Sequence, residues 1–194
     1  MEGFGALNRW VLPVAIIAVI LGGGCALRAS APFPSTPADR AYAQGVSAMA
    51  ETNYERALEL FAAAWKENPG HPGVTNEFPK ALAGLNNSAD ESFRQGRPEE
   101  AGRRWSSALR FASHPAEKGR ALPFAKADIR ASIDRASSNL MEKGLAEYRK
   151  GNLEAAISTW RSILAYDPSH VDAARSVKTA TTQLENLKKI DSPK

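Results

Sequence analysis

Gly144–Pro168, GLAEYRKGNLEAAISTWRSILAYDP, decides how the chain is read. Gly151-Asn152 is a turn, because both residues tolerate the left-handed backbone that reverses a helix. Leu145 and Tyr148 share a face before the turn. After it Leu153, Ala156, Ile157, Trp160, Ile163 and Leu164 keep a 3.6-residue rhythm. Asp167-Pro168 ends the second helix, since proline cannot continue it. The stretch is a helical hairpin, and one hairpin alone buries too little surface to stand, so further copies are expected.

Two are present. From Gly144 the landmarks Ala156, Trp160, Ile163 and Pro168 lie at offsets 12, 16, 19 and 24. The same offsets from Gly45 reach Ala57, Phe61, Ala64 and Pro69, and from Ala89 they reach Ala101, Trp105 and Ala108, with Pro115 just beyond. Small residues let paired helices approach, while Phe61, Trp105 and Trp160 fill the space between hairpins.

This pattern resembles the tetratricopeptide repeat, a helix-turn-helix unit with glycine, alanine, aromatic, alanine and proline at these intervals. The resemblance covers most of 41–168 and implies an all-α solenoid of helical hairpins. The hairpins are expected at about 37–68, 80–112 and 123–167, followed by a C-terminal capping helix at 170–189. Gly45 and Ala89 are 44 residues apart, and Ala89 and Gly144 are 55 apart. Ordinary repeats tile at about 34, so extra segments of roughly 10 and 21 residues sit between units.

Outward from the repeats, Pro69-Gly70-His71-Pro72-Gly73 reads as turn throughout, and Thr36-Pro37 as a helix start. Pro98 stands first in a helix reaching Phe111, and Pro123 opens a long one to about Lys150. Ser169 caps the last helix, with Val171, Ala174, Val177, Thr181, Leu184 and Leu187 as its apolar stripe. Such a helix closes the solenoid with a polar back, or forms a short seam that joins two copies.

Residues 1–24 read as a signal peptide: Arg9, the apolar run Trp10–Leu21, then glycines. Twelve apolar residues make only about 18 Å of helix, short of a bilayer. Cys25, the one cysteine, cannot form an internal disulfide. Directly after this run it resembles the lipidated cysteine of bacterial lipoproteins; an uncleaved membrane anchor and simple secretion are the alternatives. Ala26 after it implies, by that resemblance, sorting to the outer membrane facing the periplasm, with inner-membrane anchoring as the other outcome. Residues 25–36, with their prolines, read as an extended tether.

A net charge of +4 is mild, and basic and acidic residues interleave, which describes a solvated surface rather than a nucleic-acid track. No nucleophile elbow, HExxH or paired CxxC occurs, so no catalytic residue, metal or cofactor is expected. His71 and His170 fall at one repeat offset and read as turn residues. Function is therefore expected in protein binding. The family resemblance puts a concave groove on the free face of each first helix. That face carries Tyr42, Val46 and Met49, then Asn86, Asp90 and Phe93, then Met141, Leu145 and Tyr148. A scaffold binding a protein or peptide partner in the bacterial cell envelope is the leading expectation. The alternative is a structural subunit coating a filament or envelope complex, which would expose apolar residues near Phe124 and Ile129.

Overall fold

The computed structural model describes residues 36–117 and 122–191. Among them are seven α-helices and no strand. The helices are α1 (Pro37–Ala50), α2 (Tyr54–Glu67), α3 (Pro72–Arg94), α4 (Pro98–Phe111), α5 (Lys126–Arg149), α6 (Leu153–Tyr166) and α7 (Val171–Asp191). One 3-10 turn, Pro115–Glu117, follows α4. Residues 1–35, and with them the expected signal peptide, Cys25 and most of the tether, lie outside the described residues. No helix among the described residues is long and apolar enough to cross a membrane.

Each helix packs on its successor, giving the hairpins α1–α2, α3–α4 and α5–α6 with α7 against α6. The second helices also touch, α2 on α4 and α4 on α6. The chain is thus the tetratricopeptide-like helical repeat expected. The landmark aromatics are its core: Phe61 and Trp105 are completely or almost completely buried, and Trp160 nearly so. Phe61 and Trp160 each lie against a glycine of the preceding helix. A Cβ added at Gly45 would come within 2.5 Å of the Phe61 ring, and one at Gly144 within 2.3 Å of the Trp160 indole nitrogen.

Local chemistry sets the boundaries. Thr36 caps α1 in a reciprocal box with Asp39: the Asp39 N–H donates to Thr36 Oγ1 and the Thr36 N–H to Asp39 Oδ2, both at 3.1 Å. Gly96 and Gly151 take positive φ in their hairpin turns, and Thr52 (φ 58°) stands in the matching position of the first.

Three boundaries differ from the sequence reading. α3 begins at Pro72 rather than near Lys80, because His71 accepts the Val74 N–H at Nδ1 (3.2 Å) and Pro72 suits the first turn. Pro79 then sits inside the helix, where it withdraws one backbone donor and crowds the carbonyl of the preceding turn. α5 starts at Lys126, not Pro123, with the Ala125 N–H donating to Asp128 Oδ2 at 2.9 Å. α7 is capped by His170, whose Nδ1 accepts the Ala173 N–H at 3.2 Å; Ser169 instead donates to Asp167.

The apolar stripe of α7 is also corrected. Ala173 and Ala180 are its buried residues, with Val177, Thr181 and Leu184 partly covered, whereas Val171, Ala174 and Leu187 are exposed. Close contact with α6 selects alanines, which a count of large apolar residues passes over.

Candidate functional site

A groove of about 390 Å³ runs between the second half of α5 and the first half of α7. Met141, Glu142, Leu145 and Tyr148 of α5 form one wall, Arg175, Ser176 and Thr179 of α7 the other, and Trp160 of α6 the floor. Its depth has a local cause. Gly144 lets the Trp160 indole lie directly on α5, and the indole N–H donates to the Met141 carbonyl at 3.2 Å. Tyr148 leans on that indole, ring centroids 5.9 Å apart, and its hydroxyl donates to Gln183 Oε1 at 2.6 Å, tying the groove's end to α7. Ser176 and Thr179 are too small to fill the space left between the helices. The surface is therefore apolar, ringed by one acidic and one basic side chain, with Leu145 39% exposed at its lip.

The structure brings Met141, Leu145 and Tyr148 together in this one groove. It does not join the other two trios to it. Tyr42 packs inward against Gly73, Phe61 (centroids 5.8 Å) and His71 (4.9 Å). Met49 is half-buried on the core, and Val46, 40% exposed, lines no cavity described here. Asn86 and Asp90 line a separate polar cavity of about 310 Å³ between α3 and α5, with Asp128 and Ser132. Asp90 chiefly holds the landmark tryptophan in place, its Oδ1 accepting the Trp105 N–H at 3.2 Å. Phe93 is sandwiched between Trp105 (centroids 5.6 Å) and the Arg135 guanidinium, 5.4 Å over its ring. Tyr42, Asp90 and Phe93 thus support landmark aromatics, whereas Met141, Leu145 and Tyr148 border the apolar opening of the last repeat.

The sequence reading placed Trp160 between hairpins rather than in a site, and it missed the α7 wall. The glycine sixteen residues before Trp160 signals the floor, since only glycine admits an indole so close to the helix. Nothing in the sequence marks Ser176 and Thr179 as a wall, because that depends on where α7 docks.

The titratable groups have structural employment. The histidines accept backbone N–H groups at Nδ1: His71 from Val74, His170 from Ala173, His114 from Ala116. Burial against Phe78, on which it stacks at 5.0 Å, lowers the His114 pKa. Hydrogen bonds from Asn152 and then Lys150 lower that of Glu147, and burial raises that of Tyr166, which meets Ser137 at 3.1 Å. Among the described residues no group of three His, Cys, Asp or Glu side chains could hold a metal ion.

A family model described as tetratricopeptide repeat matches residues 42–117 and 141–176. The first block spans the first two hairpins. The second begins at Met141 and ends at Ser176, and so encloses much of the groove. No curated protein matches the chain.

Proposed function

The chain belongs to the tetratricopeptide-repeat family, and from that premise we propose that it is a non-catalytic scaffold, tethered to the bacterial cell envelope, that seats a protein partner in the α5–α7 groove. Repeats of this family serve protein–protein interaction. The observation that carries the reading is the apolar opening over Trp160, with Leu145 and Tyr148 at its edge. Large apolar and aromatic groups around a small cavity supply contact area at modest entropic cost, which suits a peptide or helix bearing an apolar anchor. The tether rests on the sequence alone: the apolar run Trp10–Leu21, the glycines, Cys25 and the proline-bearing segment after it. Outer-membrane placement facing the periplasm follows from the lipoprotein resemblance and Ala26.

The filament-coating alternative required apolar exposure at the start of α5. Ile129 is 1% exposed there and Phe124 is half-buried, which favours the scaffold. The test is partner recovery from crosslinked membranes by the full chain. Leu145→Asp, at an exposed site, should abolish recovery of the species captured by wild type while leaving the melting temperature within a degree or two. Unchanged recovery would remove the groove from the reading.

A further inference from the structure

α7 carries more than a cap needs. Gln183 meets Tyr148, and Lys188 Nζ meets Glu154 at 3.1 Å, yet α7 continues to Asp191. Its last turns present Leu187, 46% exposed, and Ile190, 78% exposed. Both border a shallow depression with Gln183 and Thr179, and Thr179 also lines the apolar groove. One face of α7 therefore carries a socket toward its start and an apolar knob at its end. Of the five large hydrophobic residues exposed among the described residues, Leu145, Leu187 and Ile190 border these two adjoining hollows.

Ser176, Thr179, Gln183, Leu187 and Ile190 step along the helix by three or four, so they share that face. Leu187 and Thr179 each lie four residues from Gln183, and Ile190 and Ser176 each lie seven. Two antiparallel α7 helices related by a two-fold axis at Gln183 thus set Leu187 against Thr179 and Ile190 against Ser176. Each knob then falls on the other copy's socket. The geometry is self-complementary, as an isologous contact requires. The opposed residues on α7 are small and polar, which leaves room for an isoleucine to reach Met141 and Leu145. Charge permits the pairing. Arg175, the basic group at the rim, lies eight residues from the axis. Its twin is therefore about 24 Å away, beyond the screening length at physiological salt.

We propose that the occupant of the α5–α7 groove in the free protein is α7 of a second copy, so that self-association and partner binding compete. The proposal takes the groove to be an interaction site, as above, but needs no heterologous partner to be tested.

The full chain in detergent is examined by sedimentation equilibrium over a wide concentration range. Wild type should be a reversible monomer–dimer system. Leu187→Asp and Ile190→Asp should each weaken dimerisation by at least about tenfold, because each would bury an unpaired carboxylate. Their circular dichroism and melting should stay unchanged, since both positions are exposed. In a Cys25→Ser background, Gln183→Cys should oxidise to a disulfide-linked dimer, while Glu185→Cys, exposed and bordering neither hollow, should not. Facing Cα atoms of closely packed helices come within disulfide reach. A monomer at all concentrations, a dimer indifferent to both aspartates, or preferential crosslinking at position 185 would each overturn the proposal. None of these outcomes touches the Leu145→Asp test, which reads partner recovery. A monomeric Ile190→Asp chain that recovers partner better than wild type would support both readings together.

Discussion

Trp160→Ala removes the side chain on which the last hairpin is assembled. The indole is 3% exposed, floors the groove, meets Tyr148 at a tilt and bonds the Met141 carbonyl. An aromatic side chain buries roughly 150–250 Å², worth about 4–6 kcal/mol at about 25 cal/mol per Å². The unfolded chain already hides part of that area, which brings the figure to about 3–5 kcal/mol, the range of Trp→Ala changes in cores. The lost hydrogen bond adds little, because Met141 lies inside α5 and its carbonyl keeps a place in the helix ladder. For a domain of this size the melting temperature should fall by on the order of 10 °C. Urea titration followed by circular dichroism gives the free energy, and native-state hydrogen exchange gives its location. Repeat proteins are stabilised by nearest-neighbour interfaces, so α5, α6 and α7 should lose protection while α1 and α2 keep theirs. A loss below about 1 kcal/mol, or uniform loosening along the chain, would refute the claim that this indole joins the last hairpin to α7.

Thr52 occupies a turn position that glycine fills in the other hairpins, so Thr52→Gly should raise stability by about 1 kcal/mol and Gly151→Ala lower it by a similar amount in thermal melts. The pKa of His114 is depressed in the fold, so below the ordinary histidine range the unfolded chain binds more protons and stability falls with pH. His114→Phe, which keeps the stack on Phe78, should flatten the melting-temperature profile as pH drops from about 6.5; an identical slope would place the dependence elsewhere. Cys25→Ser should leave a longer precursor that no longer labels with palmitate, and unlabelled wild type of precursor length would reject lipidation.

The fold was legible because its determinants are local and recur. Small residues at one offset and aromatics sixteen later report a contact between adjacent helices, and Gly144 with Trp160 states that contact in two letters. The chain also contains close approaches with no such spacing. Gly73 admits Tyr42, Gly84 admits Tyr54 and Gly102 admits Tyr166, each to within 2.6 Å of where a Cβ would stand. Those pairs join residues of different helices at irregular separations, and sequence periodicity does not reach them. The start of α3 was misread for an energetic reason. Proline inside a helix forfeits one hydrogen bond and crowds the preceding carbonyl, a local penalty that Val74, Phe78 and Leu82 outweigh by burying completely in the core. The site was legible only on one side. Met141, Leu145 and Tyr148 follow from helix phase, but whether a cavity lies beside them depends on what faces them.

The uneven repeat spacing now has an account that bears on the site. α3 and α5 run 23 and 24 residues where α1, α2, α4 and α6 run 14. The first excess of roughly 10 residues over an ordinary repeat is therefore absorbed as extra helix at the start of α3. The second is divided between a similar extension of α5 and the segment between α4 and α5. The extensions are packed rather than free. Val74 and Phe78 in α3, and Ile129 and Ile133 in α5, are almost wholly buried. Phe93 and Arg135 also meet across the two helices, covering the Trp105 side of that junction. At the last junction Tyr148, at the repeat offset of Phe93, meets Gln183 of α7, and the wall beside it is Ser176 and Thr179. Those two small side chains leave the α5–α7 groove open over Trp160, and the proposed binding surface lies there, in the last repeat.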